Sequence, residues 1–183
     1  MMSRYSIFAL LMLGLLVFTP LISTAQPNNG PIHAGEPFPT ISGKTLTGKL
    51  LELPTAANGK PAVVVFSFSR TAGRDAHIWN EHVSRAFSNA VPGYDVIVME
   101  SVPKLFRGVA TSGIRSSMPL SMQDLTIVLY QDEKLWRQRL AASDNKRAYV
   151  VLLESDGRLR WSNSGTYSDS EYARMKNEIE RLR

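Results

Sequence analysis

The spacing of apolar residues changes several times along this chain, and each change marks an element. Ala62 to Phe66 (AVVVF) is a continuous apolar run rich in β-branched residues and bounded by Gly59-Lys60-Pro61. Such a run predicts a central strand covered on both faces. Ser67 to Arg74 then turns polar around Gly73, which predicts a loop. From Asp75 onward Ile78, Trp79, Val83, Ala86 and Phe87 recur at three- and four-residue spacings, predicting a helix with one apolar side. Ser69 or Thr71 is placed to accept from the free amides of its first turn, and Asp75 suits the positive end of its dipole.

Upstream, Ile41 to Leu53 (ISGKTLTGKLLEL) predicts an edge hairpin running into an Asn58-Gly59 turn, after a loop holding Pro27, Pro31, Pro37 and Pro39. Downstream, Tyr94 to Met99 predicts a second buried strand, so strand, helix and strand make a parallel unit. Ser101 to Ser117 follows as an inserted short helix and loop. Its apolar residues Leu105, Phe106, Val109 and Ile114 are expected to be buried, with Lys104, Arg107 and Arg115 solvated or forming a basic partner-binding surface.

Leu125 to Tyr130 predicts a third strand. Asp132 to Ala142 predicts an amphipathic helix with Leu135, Trp136 and Leu140 inward and Lys134, Arg137 and Arg139 outward. Ala148 to Leu153 and Arg158 to Trp161 flank Glu154-Ser155-Asp156-Gly157, whose Asp-Gly predicts a tight antiparallel hairpin. Ser168 to Leu182 closes the chain as a helix. Ser168 is its cap, Glu171 its third residue, and Tyr172, Met175, Ile179 and Leu182 share one face.

The first residues follow a different pattern. Arg4 is the single cation before an apolar stretch from Ile7 to Ile22, and Ser23-Thr24-Ala25 supplies small residues where a signal peptidase reads. The expectation is a signal peptide over 1–25, cleaved near Ala25, giving a periplasmic or secreted protein. The alternative is an uncleaved N-terminal helix acting as an anchor, which a stretch this short with Pro20 near its end spans poorly. The remainder divides into a lead-in loop and edge hairpin over 26–61 and the domain proper over 62–183, with 26–183 forming one globular unit.

Composition narrows the chemistry. The chain has 183 residues and no cysteine, which excludes thiol and disulfide chemistry and lipoprotein acylation. The net charge is +5, and +4 once the leader has removed Arg4, too weak to imply nucleic acid without a concentrated patch. Gly43-Lys44-Thr45 resembles the end of a phosphate-binding loop, but Phe38 stands where the first glycine belongs. Of the three histidines, His33 lies in the lead-in, and His77 and His82 are five positions apart, roughly 140° around a helix, so no metal is expected. No cofactor is called for.

Two site readings remain at the strand-helix loop. Ser67 or Ser69, with His77 or His82 and an acid such as Asp75, has the residue types for a small hydrolase, most simply Ser69 with His77. The nucleophile elbow Gly-x-Ser-x-Gly is absent, and capping explains the serines equally. In the other reading Arg70 and Arg74 flank Thr71-Ala72-Gly73 beside free helix amides and hold a carboxylate or phosphate. The candidate binding set is therefore Ser69, Arg70, Thr71, Gly73 and Arg74, with Trp79 in support and Lys104, Arg107 and Arg115 as a basic flank. The alternative for Arg70 and Arg74 is a pair of solvated arginines, or one that stacks on Trp79 or pairs with Asp75 or Glu81.

The order of elements is similar to that of thioredoxin and peroxiredoxin-like proteins. The resemblance rests on GEPFPTISGKTLTGKLLELPTAANGKPAVVVFSFS at 35–69 and AYVVLLESDGRLRWSNSG at 148–165. It implies an α/β fold, a three-layer sandwich with a mixed central sheet and helices on both faces. Redox members carry Cys-x-x-Cys or a peroxidatic cysteine where this chain has Ser67 to Arg74, and most carry a cis proline where it has Lys146-Arg147-Ala148. A narrower resemblance rests on SFSRTAGRDAHIWNEHV, TIVLYQD and RWSNSG. These stretches are similar to the thioredoxin-like family typified by the mitochondrial ATP-synthase assembly factor and its exported bacterial relatives. That resemblance implies a non-catalytic binding or assembly module whose partner is a protein, such as an envelope or membrane complex.

Overall fold

The computed structural model describes residues 30–182. The expected leader lies outside them. Seven strands form one mixed sheet: β1 (Ile41–Thr45), β2 (Leu50–Leu53), β3 (Ala62–Ser67), β4 (Gly93–Val98), β5 (Thr126–Leu129), β6 (Tyr149–Leu153) and β7 (Leu159–Ser164), in the order β2-β1-β5-β4-β3-β6-β7. The central strands β5, β4 and β3 run parallel, while β6 is antiparallel to β3, β7 to β6, β1 to β5 and β2 to β1. The thioredoxin-like α/β sandwich expected from the sequence is the fold observed.

Every residue of β3 is buried, as its unbroken apolar run requires, and its side chains alternate between two cores. On one face Val63 and Val65 pack with Val150 and Leu152 beneath α1 (Arg70–Phe87) and α5 (Asp169–Arg181). On the other, Val64 and Phe66 pack with Val96, Ile127, Val151 and Trp136 of α4 (Glu133–Arg139), closed by Phe38 and Ile32 of the lead-in. Phe38, Phe66 and Trp136 form an aromatic triad with centroids 5.3 to 6.2 Å apart. Such contacts add about 0.5–1.5 kcal/mol per pair beyond the area they bury.

Between β4 and β5 the chain makes a 3-10 turn at Lys104–Phe106, then α2 (Arg107–Ser117) and α3 (Leu120–Gln123). Thr126 donates to the Met122 carbonyl at 2.8 Å and the Tyr130 hydroxyl to the Arg107 carbonyl at 3.0 Å. Both residues lie on the α1 side of β5, so this crossover covers the same face as α1, as two successive right-handed connections demand.

Two glycines are set by their surroundings. Gly157 takes φ +83° in the β6–β7 turn, a conformation L side chains adopt only with strain. At Gly93 a Cβ would lie 2.6 Å from Asn80 Oδ1, so only glycine admits that buried amide.

Several side chains depart from the expected pattern. Helix α1 starts at Arg70, five residues before Asp75, because Ser69 in extended backbone caps it there. Its buried face is Ala72, Ala76, Trp79, Val83 and Phe87, while Ile78 is exposed. In α4 Leu135 turns outward and Arg137 lies half-buried. No residue of α2 is buried: Val109 is exposed on the helix, as are Leu105 and Phe106 before it, so the apolar face expected there to reach the core does not.

Candidate functional site

Because β3, β4 and β5 run parallel, their carboxyl ends open on one edge of the sheet, and β6 starts from that same edge. Open α/β sheets place ligands at such an edge. Here it is built from the N-terminus of α1, the segment 99–106, the start of α4 and the segment 143–148.

Ser69 sits at the centre. Its hydroxyl oxygen accepts from the Ala72 amide at 3.2 Å and donates to the Asn145 carbonyl at 2.5 Å. One side chain thereby caps α1 and ties it to the segment leading into β6. Phe68, buried just before it, meets Tyr149 edge-on at 5.9 Å, and the Arg137 guanidinium lies over its other side, 4.4 Å from the ring centroid. Arg137 also pairs with Glu133 at 2.8 Å. The Tyr149 hydroxyl donates to the Asp144 carbonyl at 2.8 Å and accepts the Asp144 amide at 3.0 Å, which fixes the turn beside Asn145.

The expected binding residues divide into three groups. Ser69, Arg70, Thr71, Gly73 and Arg74 lie together, in the cap and first turns of α1 and not in a loop. Arg70 and Arg74 are exposed, and neither makes a hydrogen bond or ion pair among the described residues. Glu81, the expected partner for one of them, is taken by Arg85 at 2.6 Å. Trp79 must be corrected: it is 0% exposed, in the core under α1 between Trp161 and Tyr167, and reaches no ligand at the helix end.

Lys104, Arg107 and Arg115 belong to the inserted crossover. Lys104 and Arg115 are exposed. Arg107 turns inward instead, its guanidinium 4.6 Å from the Tyr130 ring centroid and donating to the carbonyls of Val102 and Tyr130, so it is half-buried and structural.

The serine-histidine pair is not assembled. His77 lies eight residues beyond the Ser69 cap, about 12 Å along the helix axis at 1.5 Å per residue. The Ser69 hydroxyl is already committed to Ala72 and Asn145. His82 lies further along α1, stacked on Tyr167 at 4.2 Å with its Nδ1 3.1 Å from the tyrosine oxygen. Among the described residues no three acidic or histidine side chains converge as metal ligands would.

The sequence reading missed Phe68, Arg137, Asn145 and Tyr149. Phe68 had a signal, being the one large apolar residue inside a polar stretch, and Arg137 stands four residues from Glu133, the spacing of a helical ion pair. Asn145 contributes only its carbonyl, for which sequence carries no mark. Beside Arg137 an open groove of about 620 Å³ runs between α4 and the end of β4, lined by Glu100, Ser101, Lys134, Gln138 and Ala141.

Similar solved structures share the fold. A thiol:disulfide interchange protein DsbE from Chlorobium tepidum superposes with a TM-score of 0.62 at 10% identity, covering 82% of this chain and 98% of that one. The thioredoxin domain of a thiol-disulfide oxidoreductase from Bacteroides vulgatus gives 0.59 at 17% identity, covering 81% and 99%. BsSco, of the Sco family of cytochrome c oxidase assembly proteins, gives 0.55 at 14% identity, covering 82% and 96%. No curated protein matches the sequence. The ATP10 protein family matches residues 33–182, the whole described sandwich apart from its first residues. A match to the ATP10 protein family over that length makes this chain a member of that family.

Proposed function

We propose that the protein is an exported, non-redox assembly module that grips a protein partner, part of an envelope or membrane complex, with the helix end Ser69–Arg74. The observation that carries this is the state of that helix end. The Ser69 hydroxyl is engaged in capping and with Asn145, while Arg70 and Arg74 stand unpaired at the rim. Free guanidiniums beside helix amides favour a carboxylate, such as an acidic side chain or a chain terminus. Membership of an assembly-factor family supports a protein as the bearer of that carboxylate. Ser69, Thr71 and Gly73 shape the surface, and the groove beside Arg137 gives an extended segment room to continue.

Export is proposed from the leader pattern and Ala25, with release to the periplasm or the exterior; sequencing the N-terminus of the mature protein tests it against an anchored form. Crosslinked capture from the cell envelope tests the site. The double variant Arg70→Ala/Arg74→Ala should lose most of the captured partner with an unchanged melting temperature. Full capture by that variant would remove the site from this end of the helix.

A further inference from the structure

The crossover between β4 and β5 is held to the sheet by polar groups. Tyr130 bonds the Arg107 carbonyl and Thr111, Arg107 stacks on Tyr130, and the Gln123 amide donates to the carbonyls of Arg115 and Met118 at 3.1 and 3.0 Å. This clasp turns the other side of the segment to solvent. Leu105 is 84% exposed, Val109 74%, Phe106 57%, and Leu120 at the far end 84%. Taken as one helical run, Leu105, Val109 and Phe106 fall within roughly 100° of arc, and the exposed Lys104 and Arg115 lie together on one side of that stripe, roughly 80–100° from Leu105.

Charge is as uneven as polarity. Residues 101–123 hold three cations and no acid, in a chain with 16 acids. The acids bordering the segment are engaged, Glu100 by the Glu133 amide at 2.7 Å and Asp124 by Lys49 at 2.5 Å. Lys104 and Arg115 make no ion pair among the described residues.

We infer that this face docks on an anionic lipid surface, with Leu105, Phe106, Val109 and Leu120 entering the interface and Lys104 and Arg115 lying among the headgroups. Protruding Leu, Phe and Val with exposed Lys and Arg beside them, in a segment without an acid, match a bilayer interface, apolar below and negative at its surface. Soluble proteins rarely leave such a group uncovered. Among the described residues no helix is long and apolar enough to cross a membrane, so the contact is peripheral.

A chain without cysteine allows a clean test. Single substitutions Val109→Cys, Leu120→Cys and, as control, Ser155→Cys in the β6–β7 turn each take one environment-sensitive fluorophore on the full chain. With vesicles of phosphatidylcholine and phosphatidylglycerol, probes at 109 and 120 should shift to the blue and be quenched by spin-labelled acyl chains, and the probe at 155 should do neither. Pure phosphatidylcholine or high salt should weaken the effect. Lys104→Ala and Arg115→Ala should each lower the lipid-phase signal about fivefold, the effect of one cation near an anionic surface. Aqueous probes at 109 and 120 on the mixed vesicles would overturn the inference, as would equal quenching at 155. Protection of 109 and 120 by an envelope protein without lipid contact would also overturn it.

Discussion

The Ser69 hydroxyl donates to the carbonyl of Asn145, 76 residues along the chain, while accepting from the Ala72 amide. One oxygen thus starts α1 and closes the edge of the sheet where β6 begins. Ser69→Ala removes both bonds and leaves the Asn145 carbonyl and the Ala72 amide to water. A lost cap and a lost tertiary bond together cost about 1–3 kcal/mol. For a chain of this length that is a fall in Tm of roughly 2–4 °C for each kcal/mol. Calorimetry on Ser69→Ala and Ser69→Thr separates the cases, since threonine keeps the hydroxyl and should retain most of the stability. Equal loss in both would mean that the hydroxyl bonds carry none of it.

Trp79 fills the space between α1, Trp161 and Tyr167, and its indole N–H is buried without a hydrogen-bond partner. Removal and trimming should therefore differ sharply. Trp79→Ala opens a large cavity and should cost about 3–5 kcal/mol. Trp79→Phe also loses volume, but it deletes a donor that the fold leaves unsatisfied at a cost of about 1–3 kcal/mol. Urea unfolding should place the Phe variant well above the Ala variant in midpoint, and coincident midpoints would contradict this account.

The strands and their order were legible because runs such as Ala62 to Phe66 admit little else, and Asp156-Gly157 fixed the closing hairpin. The helix ends were harder to place. The first two turns of α1 bury only Ala72 and Ala76, whose small side chains give a weak periodic signal amid Arg70, Thr71, Gly73 and Arg74. The larger Ile78 lies at a spacing that suits the core and yet faces solvent. In the crossover, apolarity alone predicts burial, whereas Arg107 and Thr111 set the orientation by binding Tyr130. Charge alone predicts Arg137 outward, but its planar guanidinium is stable over Phe68 with Glu133 beside it. In the crossover and at Arg137 a contact distant in sequence decided what local periodicity could not.

Tyr167 links α1 to the start of α5. Its ring stacks on His82 at 4.2 Å and meets Trp79 edge-on at 5.3 Å, and its hydroxyl donates to Asp169 at 3.0 Å with His82 Nδ1 at 3.1 Å. Burial first, then the bond to Asp169, push the phenol up to about 12. Tyr167→Phe keeps the ring contacts and removes the polar ones, so a loss of about 1 kcal/mol is expected. Ultraviolet difference titration of this variant against the parent should remove one tyrosine that ionises well above the ordinary phenol value of 10. An unchanged late phase would place that tyrosine elsewhere.

Asp95 stands fully buried on β4, where the Asn80 amide donates to it at 2.5 Å, and burial pushes its carboxyl up to about 7 despite that bond. Among the described residues no cation neutralises it, so its native form keeps a proton that the unfolded chain releases near 3.8. A raised native value means that its stabilising contribution is complete below the unfolded value and declines as pH rises from about 4 to about 7, then levels off. At about 1.4 kcal/mol for each unit, the loss at pH 8 is on the order of 4 kcal/mol. Asp95→Asn keeps the shape and an acceptor for Asn80 and cannot ionise. It should match the parent at pH 4 and exceed it at pH 8, with a flatter dependence between. The check is the urea midpoint of both proteins at half-unit steps from pH 4 to 8. Curves that stay parallel across that range would show that Asp95 titrates in the native state as it does in the unfolded chain.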